Sequence, residues 1–197
     1  MSRSQHDGAA VGPTAGLVVV IAGPSGVGKG TVTAAVRRAL PGATFSVSVT
    51  TRRPREGERE GVEYHFVDDA GFDRMIEEGA LVEWASYAGN RYGTPHAPLT
   101  LALSEGRVVL LDIEVQGALQ VKERMPEALL VFLEPPDPKE LERRLRARGT
   151  DDEAAIRRRL ATATTELAAR DRFDVVVVND DLERCVGRVL AAIAARR

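Results

Sequence analysis

The sequence predicts an α/β fold in which helices cover both faces of a parallel sheet and a phosphate-cradling loop opens the domain. Three observations carry this reading. Leu17-Val-Val-Val-Ile-Ala22 is a continuous apolar, β-branched run, the pattern of a strand buried on both faces. Gly23-Pro-Ser-Gly-Val-Gly28-Lys29 follows at once and matches G-x-x-x-x-G-K between a strand and a helix. Farther along, strand-length apolar runs alternate with helical patterns, as parallel strands joined by crossover helices require.

Each element follows in order. After the loop a helical pattern runs through about Leu40 and stops at Pro41-Gly42. Phe45 to Val49 reads as a short strand. Residues 50–98 change character. TTRRPREGEREG is charged and loop-like, Tyr64–Val67 and Leu81–Trp84 read as short strands, and Phe72, Met75 and Ile76 are spaced for a short amphipathic helix. Gly89-Asn90 suits a hairpin turn before Arg91-Tyr92. This stretch reads as a small, mostly β insertion.

The α/β alternation then resumes. Val108–Leu111 is a strand, Val115–Arg124 a helix, and Leu129–Leu133 a strand ended by Glu134-Pro-Pro136. Pro138–Ala147 is a helix with Asp137 as N-cap and Pro138 at its first position. Gly149-Thr150 breaks it, and a long helix runs from near Asp151 to about Ala169. Val175–Val178 is the last strand, and a terminal helix follows. The expected organisation is a flexible leader at 1–16, a core at 17–49 and 99–197, and the insertion at 50–98.

Composition narrows the function. The 197 residues suit one such domain. A formal charge of -2 gives no general attraction to nucleic acid or to a membrane surface, so neither is expected as a partner. No apolar stretch reaches the ~18 residues that span a bilayer, and the leader MSRSQHDGAAVGPTAG has no apolar signal core. Cys185 is the only cysteine and cannot form an internal disulfide, which fits a reducing, cytoplasmic setting. Leu182, Val186, Val189, Leu190 and Ile193 place it on an apolar helical stripe, as a core thiol. His6, His65 and His96 have no metal-ligand spacing.

The loop residues Gly23, Pro24, Ser25, Gly26, Val27, Gly28, Lys29, Gly30 and Thr31 are expected to bind a nucleoside triphosphate. Glycines let backbone N–H groups turn inward around phosphate oxygens, and the helix N-terminus adds positive partial charge. Lys29 supplies a full charge to the β- and γ-phosphates, while Pro24 and Val27 serve shape and packing. The usual hydroxyl after the lysine, a Mg²⁺ ligand, is replaced by Gly30, with Thr31 one position later. The metal ligands are therefore left open.

Switch GTPases, ATPase motors and small-molecule kinases share such loops. The chain has no Asn-Lys-x-Asp guanine-reading stretch and is short for a motor. It has two arginine clusters away from the loop: Arg52, Arg53 and Arg55, and the run RRLRARGTDDEAAIRRRL from Arg143 to Leu160. Most of these suit a solvated surface. Yet phosphoryl transfer between two anions needs cations around both, and Arg148 and Arg159 flank a glycine-punctuated segment able to present them.

The loop GPSGVGKGT, the segment SVSVTTRRPREGEREGVEYHF, Glu83-Trp84, the turn GNRYGT, LLDIEVQG, RLRARGT and VVVVNDDL occur in this order. Together they resemble guanylate kinase from about Leu17 to the C-terminus. The resemblance implies a P-loop nucleoside-triphosphate fold with a parallel sheet core, a GMP-binding insertion at 50–98 and a helical lid at about 143–160. It implies transfer of the γ-phosphoryl of ATP to GMP, giving ADP and GDP, with Mg²⁺. Ser48 and Glu83 match guanine contacts, and Thr94 a hydroxyl near the base. Arg52, Arg55, Tyr64 and Tyr92 match the ligands of the GMP phosphate; Arg53 matches none. Asp112 matches a position in the GMP and Mg²⁺ region, where a guanine contact and a metal-water contact both stand open. Arg148 and Arg159 match the lid arginines on the transferring group, with Arg144 a weaker match, and Asn179 matches a residue near adenine. A carboxylate such as Glu83 accepts from guanine N1 and N2 together, a donor pair adenine lacks. No general base is required, because the acceptor phosphate is already an anion. Two rivals share the motifs: a phosphopeptide-binding scaffold domain of this fold, and a kinase for another phosphorylated acceptor.

Overall fold

The structure, a computed structural model, describes residues 15–87, 89–147 and 152–197. Strand β1 (Leu17–Ala22) leads through the glycine loop into helix α1 (Lys29–Ala39). The short strands β2 (Thr44–Phe45), β3 (Val49–Thr50) and β4 (His65–Phe66) precede α2 (Asp69–Glu77). The hairpin β5 (Leu81–Tyr87) and β6 (Asn90–Pro95) runs into α3 (His96–Ser104). Then come β7 (Val108–Asp112), α4 (Val115–Arg124), β8 (Leu129–Glu134), α5 (Pro138–Ala147), α6 (Glu153–Ala168), β9 (Val175–Val178) and α7 (Leu182–Arg196).

Five strands make the core sheet in the order β2-β7-β1-β8-β9, all parallel. The alternation along β1 explains its unbroken apolar sequence. Leu17, Val19 and Ile21 face one cluster with Val32 and Val36 of α1 and Val189 and Ile193 of α7. Val18, Val20 and Ala22 face the other, with Leu99, Ala118 and Val121. Each valine, leucine or isoleucine among them, fully buried, contributes about 1.5–3 kcal/mol from burial. Cys185 is fully buried in the first cluster, as its stripe predicts.

A second sheet has the order β4-β3-β6-β5 over a small core of Val49, Phe72 and Leu81. Three features differ from the sequence expectation. The run Phe45–Val49 is not one strand: Phe45 pairs with Leu110 in the core sheet, whereas Val49 pairs with His65 and Gly93 in the second. An apolar run does not reveal that its two halves join different sheets. The hairpin turn lies one residue early, because Asn90 already pairs with Tyr87 and Gly89 takes φ 79°. Helix α3 is not legible in the sequence, since Ala-Pro-Leu-Thr-Leu-Ala-Leu lacks a clean helical period: Leu99 and Ala102 are buried, but Leu101 is 62% exposed.

Between Leu81 and Glu83 the β5–β6 register shifts by one residue. Such a bulge re-aims the following side chains. Here Val82 joins the core cluster and Glu83 pairs with Thr94, both buried.

Candidate functional site

The carboxyl ends of β1 and β7 converge on the glycine loop, the edge where open α/β sheets place ligands. Gly23, Gly26 and Gly28 have φ of 148°, 89° and 102°. A Cβ at Gly23 would run into the Leu133 carbonyl, and one at Gly28 would lie 2.7 Å from Asn179 Nδ2. The loop's neighbours therefore allow only glycine at both positions.

Lys29 opens α1 and turns back over the loop. Its Nζ donates to the Gly23 carbonyl at 2.8 Å and pairs with Glu114 Oε2 at 3.3 Å. Glu114 precedes α4, so the loop lysine is tied to the element that follows β7. The rear of the loop is clamped as well. Asn179 Nδ2 donates to the Val27 carbonyl at 2.7 Å, and Arg144 donates to the carbonyls of Val27 (2.9 Å) and Asn179 (3.1 Å) while its Nε holds Glu140. Arg144 thus braces the loop from behind. Asn179, Arg144, Thr31, Gly26, Gly28 and Leu182 also line an open cavity of about 450 Å³.

A second cavity, about 130 Å³, lies between the two sheets. Ser48, Tyr64, Glu83, Tyr92, Asp112 and Glu114 line it. Glu83 is 3% exposed and its Oε1 accepts from Thr94 Oγ at 2.7 Å. Burial pushes its carboxyl up to about 7, against the Thr94 bond and the charge of Arg124. Tyr64 and Tyr92 meet edge to face with centroids 5.9 Å apart. Burial also raises the Tyr64 phenol, with Tyr92 and Asp112 adding to the effect. Arg52 packs 5.3 Å from the Tyr64 ring centre and is held by Glu58 at 2.8 Å. Arg55 is exposed, and its backbone N–H donates to the same Glu58 carboxylate at 2.8 Å. Arg53 is exposed.

Asp112 ends β7 and borders both this cavity and a larger one of about 550 Å³ with Gly30, Thr33 and Phe45. Burial pushes its carboxyl up to about 6; Lys29 opposes this and Glu114 adds to it. Gly30 faces it: a Cβ there would stand 3.8 Å from Asp112 Oδ2. Thr31 is exposed and opens toward the Asn179 cavity instead. Among the described residues, no group of three or more His, Cys, Asp or Glu is arranged to hold a metal ion.

In the segment expected to form the lid, Arg159 is half-buried on α6, whose first turn is capped by Asp152 accepting from Ala155 N–H at 2.6 Å. Arg148 lies outside the described residues, as do residues 1–14 of the expected leader. Ser48, Tyr64, Glu83, Tyr92 and Asp112 meet at one cavity with Thr94 behind Glu83, and Arg52 reaches it through Tyr64.

Sequence reasoning gave no role to several residues that the structure brings here. Glu166 of α6 is 9% exposed beside Glu114 and the Ser25 amide, with no hydrogen-bond partner at Oε2. Burial first, and Glu114 second, push its carboxyl up to about 7. In sequence it is one more charge on a long helix. Gly117, inside α4, has a visible signal, because glycine within a helical pattern has an energetic cost relative to alanine.

The sequence model of the family described as guanylate kinase matches residues 16–196. The chain is similar to a guanylate kinase of Thermobifida fusca, with 54% identity over 90% of this chain and 91% of that one. A guanylate kinase of Synechococcus sp. strain JA-3-3Ab is 52% identical over 91% of this chain and 83% of its own. Among solved structures, guanylate kinase from Anaplasma phagocytophilum superposes with a TM-score of 0.76 at 34% identity, covering 93% of this chain and 87% of that one.

Proposed function

The chain belongs to the guanylate kinase family and transfers the γ-phosphoryl group of ATP to GMP, and we propose that the cavity between the sheets takes GMP while the glycine loop takes ATP. The observation that carries the assignment is Glu83. It is a buried carboxylate with one oxygen satisfied by Thr94, on a wall shared with Ser48 and two tyrosines. Guanine offers N1–H and N2–H to such a group. Adenine would leave its lone pairs unsatisfied, and sites built on hydrogen bonds of this kind discriminate by ~10⁴–10⁵.

The base held there directs the phosphate toward Tyr64, Tyr92 and Arg52. Arg55 joins when the charged segment around Glu58 closes over the acceptor. Two guanidinium forks and two phenols suit a dianion in one pose. On the donor side, Asn179 and Arg144 keep the loop open for the triphosphate and border the adenine. The Lys29 ammonium moves from Glu114 to the β- and γ-phosphates. An oxygen of the GMP phosphate then bonds the γ-phosphorus while the bond to the β,γ-bridging oxygen breaks, and ADP leaves with that electron pair. Arg159, with Arg148, brings positive charge from the lid. Positioning and charge carry the rate, with no proton to remove.

The donor set fits Mg²⁺ on one side only. Gly30 offers no hydroxyl, and Asp112 is a half-buried carboxylate facing the space that a longer side chain would fill. Asp112 would be the residue to hold the ion, and when bound Mg²⁺ would supply charge neutralisation for the triphosphate. We further infer that residues 50–98 act as the GMP-binding insertion and 143–160 as the lid, in a cytoplasmic enzyme. Among the described residues, no helix is long and apolar enough to cross a membrane.

The pH dependence tests the role of Glu83. GMP binds the ionised carboxylate, and the carboxyl of the unliganded protein sits at about 7. Below that pH a proton must leave first, so KM for GMP rises by about tenfold per pH unit as pH falls, while KM for ATP does not follow it. Glu83→Gln, which cannot ionise, removes the part of the limb that belongs to the carboxyl and leaves only that of the GMP phosphate, whose second ionisation lies at about 6. A KM for GMP that is constant between pH 5 and 8 in the wild type removes Glu83 from the base contact.

A further inference from the structure

Gly117 is the third residue of α4 and does not have positive φ, so no backbone requirement explains it. Glycine inside a helix is less favourable than alanine. What it supplies is room. A Cβ at 117 would stand 3.0 Å from Glu83 Cδ and closer still to Oε2, the oxygen that the Thr94 hydroxyl does not engage. The Oε2 side of the carboxylate therefore lies on the bare backbone of α4.

The same helix face grips the strand that carries Glu83. Gln120 Oε1 accepts from the Trp84 N–H at 3.3 Å, and its Nε2 donates to the Trp84 carbonyl at 2.8 Å. Arg124 donates to the carbonyls of Leu81 and Val82. Positions 117, 120 and 124 fall at i, i+3 and i+7, one stripe of a helix. Arg124 holds the main chain before Glu83, Gln120 holds it after, and Gly117 leaves the seat between them. The grip spans the β5 bulge that turns Glu83 inward. Helix α4 also follows directly on its N-cap Glu114, the partner of Lys29, so the base seat and the phosphate loop hang on one element.

We propose that Gly117, with Gln120 and Arg124, is the specificity-setting face of the acceptor site: α4 fixes the Glu83 carboxylate where only a base with both N1–H and N2–H satisfies it. Gly117 acts through Glu83 and is a positioning residue. The inference rests on the reading of Glu83 as the guanine acceptor.

The test compares GMP with IMP, which keeps N1–H and lacks the 2-amino group, at saturating ATP. kcat/KM is measured for the wild type, Gly117→Ala, Glu83→Ala and the double variant, with thermal melts alongside. Gly117→Ala lowers the GMP-to-IMP ratio by about tenfold or more and leaves KM for ATP unchanged. Combined with Glu83→Ala it adds nothing further, because both act on one group. Glu83→Asp, one methylene shorter, restores part of the ratio in the Gly117→Ala background. Should Gly117→Ala melt below the assay temperature, Gln120→Ala carries the test, with the ratio falling in the same direction. A folded Gly117→Ala with wild-type discrimination overturns the proposal and leaves the Glu83 reading standing. An equal further loss in the Glu83→Ala background overturns it too. Wild-type discrimination in Glu83→Ala overturns the guanine reading and this proposal together.

Discussion

Lys29→Met is expected to lower kcat by ~10³-fold or more, because the role proposed for its ammonium is to bring a full charge to the transferring group. The helix N-terminus and the backbone N–H groups of the loop remain, so ATP still binds with a modest rise in KM. A steady-state assay at saturating ATP and GMP reads the loss directly. The structure adds a second readout. Lys29 lies against Glu114, and Glu114 lies against the buried Glu166. Without the cation the two carboxyls face each other unrelieved, so the variant melts lower at pH 8 than at pH 5, relative to the wild type. The sign follows from linkage: a carboxyl whose folded pKa is raised weakens the fold as pH climbs from its unfolded value toward its folded one. For Glu166 that window runs from 4.5 to about 7. Identical turnover in Lys29→Met and wild type contradicts the assignment of the loop.

Arg55→Ala loses most turnover with GMP while ATP binding is kept, and Arg52→Ala does the same. Truncating one partner of a desolvated charge pair costs about 2–5 kcal/mol, so kcat/KM for GMP falls by roughly 30- to 4,000-fold. The two differ in the unliganded protein. Arg52 is held by Glu58 and packs on Tyr64 and Phe66, so its loss also loosens that wall. Arg55 is exposed, and its loss leaves the melting temperature within a degree or two, as surface substitutions do. Near-normal turnover with GMP in Arg55→Ala removes it from the phosphate site. Retained activity in Arg52→Ala does the same for Arg52.

The parts of the fold legible in the sequence are those with one dominant local signal. β1 reads correctly because burial on both faces leaves no polar position to confuse the period. The glycine loop reads correctly because Gly23 and Gly28 answer to close neighbours, Leu133 and Asn179, as well as to their own dihedrals. Phe45–Val49 misleads because strand periodicity is blind to which sheet a residue joins. Helix α3 is hidden by a proline in its first turn and by leucines on both its buried and its exposed sides.

The candidate site divides the same way. Glu83, Ser48, Tyr64 and Tyr92 are placed by family resemblance, and the structure gathers them at one cavity. Local sequence gives no hint of the burial of Glu83, since the β5 bulge and helix α4 create it and neither is visible at position 83. The Lys29–Glu114–Glu166 arrangement joins three elements, separated by 85 residues in the ion pair alone, and no local pattern encodes such a meeting.

The cavity between the sheets is the proposed seat of GMP, with Glu83 reading the base. The most direct measurement is kcat/KM for GMP, IMP and AMP with ATP as donor, in the wild type and in Glu83→Gln. The wild type is expected to prefer GMP strongly, by ~10⁴-fold over AMP, and most of that preference is gone in the variant while KM for ATP is kept. A Glu83→Gln enzyme with undiminished preference for GMP would contradict this assignment.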